Sequence, residues 1–232
     1  ETMTWYGFDI KTGNNLWGPS EPYTNAWGMY STGTISAYGN LYATAYDGMI
    51  HCYDLQTGEN LWNYFGGDIS GTETPYGHYP YYGGITAADG KIYACNGEHS
   101  PSMPLIRGEK MTCVDAQTGD LKWNISGWYA GNQLVIADGY LVAPNAYDNQ
   151  IYCFGKGPTE TTITASPSVA AQGAIVLIAG TVTDQSPAQK GSPAIADADM
   201  AAWMEYLNMQ YPCPENANGV PVKLQAIAPD GN

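Results

Sequence analysis

Glu98 and His99 stand side by side in the stretch NGEHSPSMPLIRGEK (96–110), followed by Arg107 and Glu109. A carboxylate beside an imidazole is the material of proton transfer, because the two groups can pass a proton at neutral pH. Consecutive loop residues need not face the same way, however. No nucleophile or metal ligand accompanies the pair, so a solvated or ring-surface loop is the simpler reading. A second stretch, PYGHYPYYGG (75–84), sets Tyr76, His78, Tyr79, Tyr81 and Tyr82 among Pro and Gly. Stiff aromatic loops give contact area at low entropic cost, which suits stacking on sugars or packing against a protein partner. The simpler alternative is a loop that covers a neighbouring element.

The remaining reactive residues are scattered. His51, His78 and His99 match no zinc spacing, and His51 reads as a structural strand residue. Cys52, Cys95, Cys113, Cys153 and Cys213 form no CxxC and no adjacent pair, so no metal site is expected. Asp197-x-Asp199 lacks the Gly and the Glu of a calcium loop and reads as a helix cap. Trp5, Trp27 and Trp128 could stack on a ring system, although an aromatic at a sheet edge is more often packing. Asn124-Ile-Ser126 is the one N-x-S/T sequon. It follows Trp123 where a surface is expected, and is a glycosylation candidate.

The elements that must position these residues announce themselves by repetition. Nearly the same words occur three times: DIKTGNNLW at 9–17, DLQTGENLW at 54–62 and DAQTGDLKW at 115–123. Each follows a strand-like run, and QIYCFGK at 150–156 has the same shape without the Thr-Gly and Trp. The Asp of DxxTG (Asp9, Asp54, Asp115) can hydrogen-bond its own turn. The Gly (Gly13, Gly58, Gly119) takes the left-handed position, and Trp17, Trp62 and Trp123 end an outer strand that buries a ring against the next sheet. Gly39, Gly90 and Gly139 mark the turn before an earlier strand. Cys52, Cys113 and Cys153 share one slot, read as a small buried residue where sheets crowd. The tryptophans lie 45 and 61 residues apart. The first spacing fits a four-stranded propeller blade of roughly 40–50 residues. The second carries two insertions, after Trp62 and between the second and third strands, and these hold the two stretches described first.

The pattern LYA…DG-I-CYD-QTG-LW resembles the pyrroloquinoline-quinone-type (PQQ-like) propeller repeat. That repeat occurs in quinoprotein dehydrogenases, in the outer-membrane assembly lipoprotein of Gram-negative bacteria and in many archaeal surface proteins. The resemblance covers about residues 1–157 and implies all-β, PQQ-like blades. It leaves function open, since the repeat residues serve turns and packing. A quinoprotein dehydrogenase would imply an eight-bladed ring, bound Ca²⁺, a catalytic Asp, a Trp on the quinone and commonly a disulfide of adjacent cysteines. This chain has no adjacent cysteines and no matching Asp segment. Its blades amount to about thirteen strands: the last two of one blade (4–18), two full blades (about 30–64 and 81–125) and three of a last (130–157). Even a four-bladed ring needs sixteen. The ring is expected to be incomplete in this chain, which begins without an initiator Met and reads as part of something longer.

From Pro158 the composition changes. Alternation over 160–166 and 174–183, and again over 219–232, reads as strands resembling part of an Ig-like sandwich. Met200, Trp203, Met204 and Leu207 form one apolar helical face near 197–210. The order of propeller then Ig-like domain with a helical insertion resembles archaeal cell-surface proteins. A formal charge of −14 argues against nucleic acid and anionic membranes as partners. No apolar run is long enough to cross a bilayer.

These readings give two domains, 1–157 and 158–232, in an extracellular or cell-envelope scaffold that is not an enzyme and carries no cofactor. Protein partners or copies of itself are expected, with carbohydrate at the 75–84 tyrosines as a sub-hypothesis. The alternatives are a self-assembling filament or surface-layer subunit completed by neighbouring chains, and a fragment of a quinone-dependent dehydrogenase. The candidate contacts are Tyr76, His78, Tyr79, Tyr81, Tyr82, Glu98, His99 and Arg107.

Overall fold

The computed structural model describes residues 1–26, 28, 33–68, 74, 76–99, 106–129 and 134–228. Trp27 and parts of both insertions lie outside them. Two compact units follow one another, Glu1–Gly155 and Lys156–Asn232.

The first unit is a run of antiparallel sheets. Strands β1 (Thr2–Met3) and β4 (Tyr23–Thr24) pair, as do β2 (Gly7–Phe8) and β3 (Asn15–Trp17). Two four-stranded blades come next, β5 to β8 (Gly33–Ala37, Asn40–Thr44, Met49–Asp54, Asn60–Phe65) and β9 to β12 (Tyr81–Ala88, Lys91–Asn96, Lys110–Asp115, Leu121–Ser126). A three-stranded sheet ends the unit: β13 (Val135–Ala137), β14 (Tyr140–Asn145) and β15 (Gln150–Phe154). These are PQQ-like blades in an open arrangement, as the repeat count predicts. The β1–β4 pair is an addition that the repeat did not reveal.

The three DxxTG turns are nearly superimposable in their bonding. Asp54 Oδ1 accepts from the backbone N–H of Gln56 (2.7 Å) and Thr57 (2.8 Å) and from Thr57 Oγ1 (3.1 Å). Asp9 repeats this set with Lys11 and Thr12. Asp115 accepts from Gln117 and Thr118, while Thr118 turns its hydroxyl to Asp120. Gly13, Gly58 and Gly119 close the turns at φ of 74°, 73° and 76°. There a side chain is strained by the clash of Cβ with the following carbonyl.

Register explains both the cysteine and the tryptophan. Tyr42, Cys52 and Trp62 line up across β6, β7 and β8, as Tyr93, Cys113 and Trp123 do across β10, β11 and β12. The small thiol lets the flanking rings close over it, with centroids 5.9 Å apart for Tyr42–Trp62 and 5.8 Å for Tyr93–Trp123. Cys52 and Cys113 are fully buried, and burial pushes each thiol up to about 12. Cys153 occupies the same slot but is exposed: among the described residues its sheet stops at β15, with no fourth strand to bring a Trp over the thiol.

Each row then docks on the next repeat. Trp62 Nε1 and the Tyr42 hydroxyl both donate to the carbonyl of Ala116 (3.3 and 2.9 Å), just after Asp115. Trp17 Nε1 donates to Leu55 O (2.9 Å), the equivalent carbonyl one repeat earlier. The rings lie on the turn glycines: a β-carbon at Gly119 would sit 2.7 Å from the Trp62 ring, and one at Gly58 would overlap Trp17. So the repeated words are one joint, with the Asp and Gly shaping a socket and the preceding repeat's Trp filling it. Trp62 and Trp123 occupy the third position of their strands and do not end them. Gly119→Ala should cost about 1–3 kcal/mol, combining left-handed strain with the ring overlap, and should lower the urea midpoint. An unchanged midpoint would refute the joint.

The second unit holds a hairpin, β16 (Thr159–Ser166) with β17 (Leu177–Asp184), and helix α1 (Met200–Met209) after a 3₁₀ turn at Asp197–Asp199. Ile163, Ala165, Ile178 and Val182 share one face of the hairpin, and Thr162, Thr164, Thr181 and Thr183 the other. Asp199 stands at the helix N-cap but does not cap it. Its Oδ2 accepts from the backbone and side-chain nitrogens of Asn218 instead (both 2.9 Å). The strand expected over 219–232 does not form among the described residues. Only an isolated bridge, Ile195 to Gly219, marks its start. Alternation alone makes no strand without a paired edge, and Pro221 removes one donor.

Candidate functional site

The two insertions meet. The β6–β7 connection of the first full blade spans 45–48, and its counterpart β14–β15 spans 146–149. In the second blade the same connection runs 97–109, while the interblade segment 66–80 approaches from the other side. Tyr46, in the short turn, joins them. It is 2% exposed, its carbonyl accepts from His78 Nε2 (2.6 Å) and its hydroxyl accepts from the His99 amide (2.8 Å). A carbonyl only accepts, so the His78 proton sits on Nε2. Burial pushes the Tyr46 hydroxyl well above its ordinary range.

Around Tyr46 the rings assemble edge to face, with Tyr76 at 5.0 Å and Tyr82 at 6.3 Å, and His99 lies 5.5 Å from Tyr82. The Tyr76 hydroxyl donates to Glu98 Oε1 (3.3 Å). Burial raises the Glu98 carboxyl, with the Tyr76 bond and His99 opposing. Gly48 gives the backbone room for this approach: a β-carbon there would lie 2.8 Å from His78 Cδ2.

Thus Tyr76, His78, Tyr82, Glu98 and His99 come together as one half-exposed patch. The other candidates go elsewhere. Tyr81 is 1% exposed in the core between the two full blades, because strand alternation sends it inward and Tyr82 outward. Removing Tyr81 along with Tyr82 would therefore cut into the core as well as the patch. Tyr79 packs beside Ile106 and Trp128, with Lys110 Nζ 5.5 Å over its ring. Arg107 is exposed. Asn124 lies within β12 opposite Thr112 and is half-buried, so the sequon is part of a strand and not of a loop.

Sequence reasoning missed Tyr46 and gave Glu109 no separate role. Glu109 is fully buried, and neither carboxyl oxygen has a partner among the described residues. Burial first, and the charge of Glu98 second, push its carboxyl up to about 8. Its amide donates to the Tyr147 hydroxyl (3.1 Å), which donates in turn to Ile106 O. Aligning Cys52, Cys113 and Cys153 places Glu109 where the sister blades have Gly48 and Asn149, both left-handed turn residues. That departure was the available signal. His51 is structural as expected, with Nε2 2.8 Å from Asp47 Oδ2 and Nδ1 2.7 Å from Asn63 Oδ1.

Chemically the patch offers ring edges, one carboxylate and two imidazoles. Among the described residues no three His, Cys, Asp or Glu side chains are placed to hold a metal ion. Also among them, no helix is long and apolar enough to cross a membrane.

The family described as outer membrane protein assembly factor BamB matches residues 2–157. No curated protein matches the chain significantly. Among solved structures, BamB from Moraxella catarrhalis is similar over 65% of this chain and 46% of its own, at 15% identity and TM-score 0.39. A quinohemoprotein alcohol dehydrogenase from Pseudomonas putida HK5 is similar over 77% and 35%, at 14% identity and TM-score 0.41. A europium-containing methanol dehydrogenase is similar over 53% and 21%, at 18% identity and TM-score 0.38. The chain thus spans less than half the length of each.

Proposed function

Because the chain belongs, through residues 2–157, to the family described as outer membrane protein assembly factor BamB, we propose that it is a non-catalytic binding scaffold of the cell envelope whose partner is a protein. The observation that carries this reading is the convergence of two insertions, absent from the sister repeats, on the Tyr46–Tyr76–Glu98 patch. Loops held by a rigid scaffold are where binding is built, and half-buried tyrosines are efficient contact residues. The repeat residues themselves are consumed by turns and joints. The second unit is read as part of an Ig-like module, on the support of its two-faced hairpin. An extracellular, archaeal surface placement belongs to the same reading. Self-assembly is a second reading, favoured by the edge of β15, which pairs with no further strand among the described residues and where Ile151 is 77% exposed.

A photo-reactive residue at Tyr76 should give a discrete protein adduct in the native host, while one at the exposed Ile10 should not. Tyr76→Ala combined with Glu98→Gln should weaken the partner so identified by about 1–3 kcal/mol with the unfolding midpoint nearly unchanged. No adduct at Tyr76, or alcohol-dependent dye reduction on adding quinone and Ca²⁺, would overturn the scaffold reading.

A further inference from the structure

A second site lies at the opposite end of the second full blade, by the Asp115 turn. A cavity of about 370 Å³ opens there, lined by Tyr38, Asp89, Lys91, Asp115, Gln117 and Lys122 among others. Two of these residues, Lys122 and Tyr38, break the repeat where the sister blades agree on something else, and a third, Lys91, stands where the sisters have Asn40 and Tyr140.

Lys122 precedes Trp123, while Leu16 and Leu61 precede Trp17 and Trp62. Lys91 opens β10 where Asn40 opens β6. Tyr38 holds the first left-handed position of the β5–β6 turn at φ 52°, where Asp89 and Asp138 hold the equivalent turns at φ 50°. Aspartate tolerates that conformation, whereas a bulky ring there is an outlier. A backbone outlier that persists invites a functional account, since the easy replacement is on view in the same chain. All three residues line one cavity, and two of the chain's eight basic residues are among them.

The charges are held in place. Lys91 Nζ donates to Asp89 Oδ2 (2.6 Å) and to Asp89 O (2.9 Å), and Lys122 Nζ lies 3.1 Å from Asp115 Oδ2. An ammonium has three donors, so each lysine keeps at least one to offer. The paired aspartates cancel local charge, so a single incoming anion meets fixed donors without a net negative wall. The Tyr38 hydroxyl accepts from the Gly90 amide (3.0 Å), which pins the half-exposed ring at the cavity.

We propose that this cavity binds a small oxyanion, carboxylate or phosphate, borne on a ring that stacks against Tyr38, with Lys91 and Lys122 as its donors. The site is separate from the insertion patch, and either can stand without the other.

The test uses the purified chain with glucuronate, glucose 6-phosphate and uncharged glucose as probes, followed by calorimetry and amide chemical shifts. One or both anions should bind saturably with shifts at Gly90 and Gln117, glucose should not, and raising salt should weaken binding. The variants copy the sister blades and so are expected to fold: Lys122→Leu, Lys91→Asn and Tyr38→Asp. Each lysine change should raise the dissociation constant about tenfold, the worth of a hydrogen bond to a charged group. Tyr38→Asp should lose affinity while raising the unfolding midpoint, since strain leaves with the ring. Preference between the two probes distinguishes carboxylate from phosphate. No saturable binding of either anion by the folded chain overturns the proposal, as does binding that all three variants retain.

Discussion

Trp62→Ala should be among the most damaging single changes in the first unit, with a loss of roughly 3–5 kcal/mol, in the range of large aromatic-to-alanine core changes. The ring is half-buried, yet it spans two blades. It covers Cys52 beside Tyr42, lies on Gly119 and donates through Nε1 to Ala116 O. Deleting it empties the socket and leaves the turn glycine bare. Trp123→Ala supplies the internal control. Trp123 has the same neighbours in its own sheet, but no glycine lies under it and no Nε1 bond forms among the described residues. It meets Phe154 at 6.5 Å instead. Its loss should be smaller by about 1–2 kcal/mol, the worth of the bond and the packing over the turn. Urea denaturation of both variants checks this. Equal losses would mean that the tryptophans act only within their own sheets. Adding Gly119→Ala to Trp62→Ala should cost less than the two single losses together, because the overlap disappears with the ring.

What could be read from the sequence was what is local. Asp9, Asp54 and Asp115 bond within their own turns, and the turn glycines need only their own φ, so three copies of nine residues identify them. The cysteine slot was also visible, but its reason was not. Two rings close over the thiol only because of a register across three strands. The insertions were located without their meeting point, since nothing in either segment encodes that Tyr46 of an earlier blade will join them. Tyr81 and Tyr82 show the limit at its narrowest. One faces the core and the other the patch, and which does so depends on where β9 begins after an insertion of no fixed period. In the second unit the alternation at Val222, Leu224 and Ala226 is real, but pairing is a property of two segments and not of one.

Glu109 carries the second large effect, and its sign is opposite to the ordinary one for a folded carboxylate. Burial raises its carboxyl to about 8 from an ordinary 4.5. Between those values the folded chain holds a proton that the unfolded chain has lost. Stability therefore falls as pH rises from about 4.5 to about 8, and the contribution is flat above that. The full linkage is at most about 5 kcal/mol, and a few kcal/mol is expected once the site can open to water. The turn aspartates act the other way. Backbone donors hold Asp9, Asp54 and Asp115 below the usual carboxylate range, so their contribution is lost as the solution is acidified. The two trends place the stability maximum in mildly acidic solution. Glu109→Gln keeps the shape and cannot ionise, so denaturation at pH 5, 7 and 9 should show the downward slope abolished and the variant more stable than the parent at pH 9. Glu98→Gln should only soften the slope, because its charge is the lesser cause. A parent slope that survives in Glu109→Gln would mean that another group titrates there. If the slope vanishes, the carboxyl that replaces a turn residue of the sister blades is the acid that couples the second blade to pH.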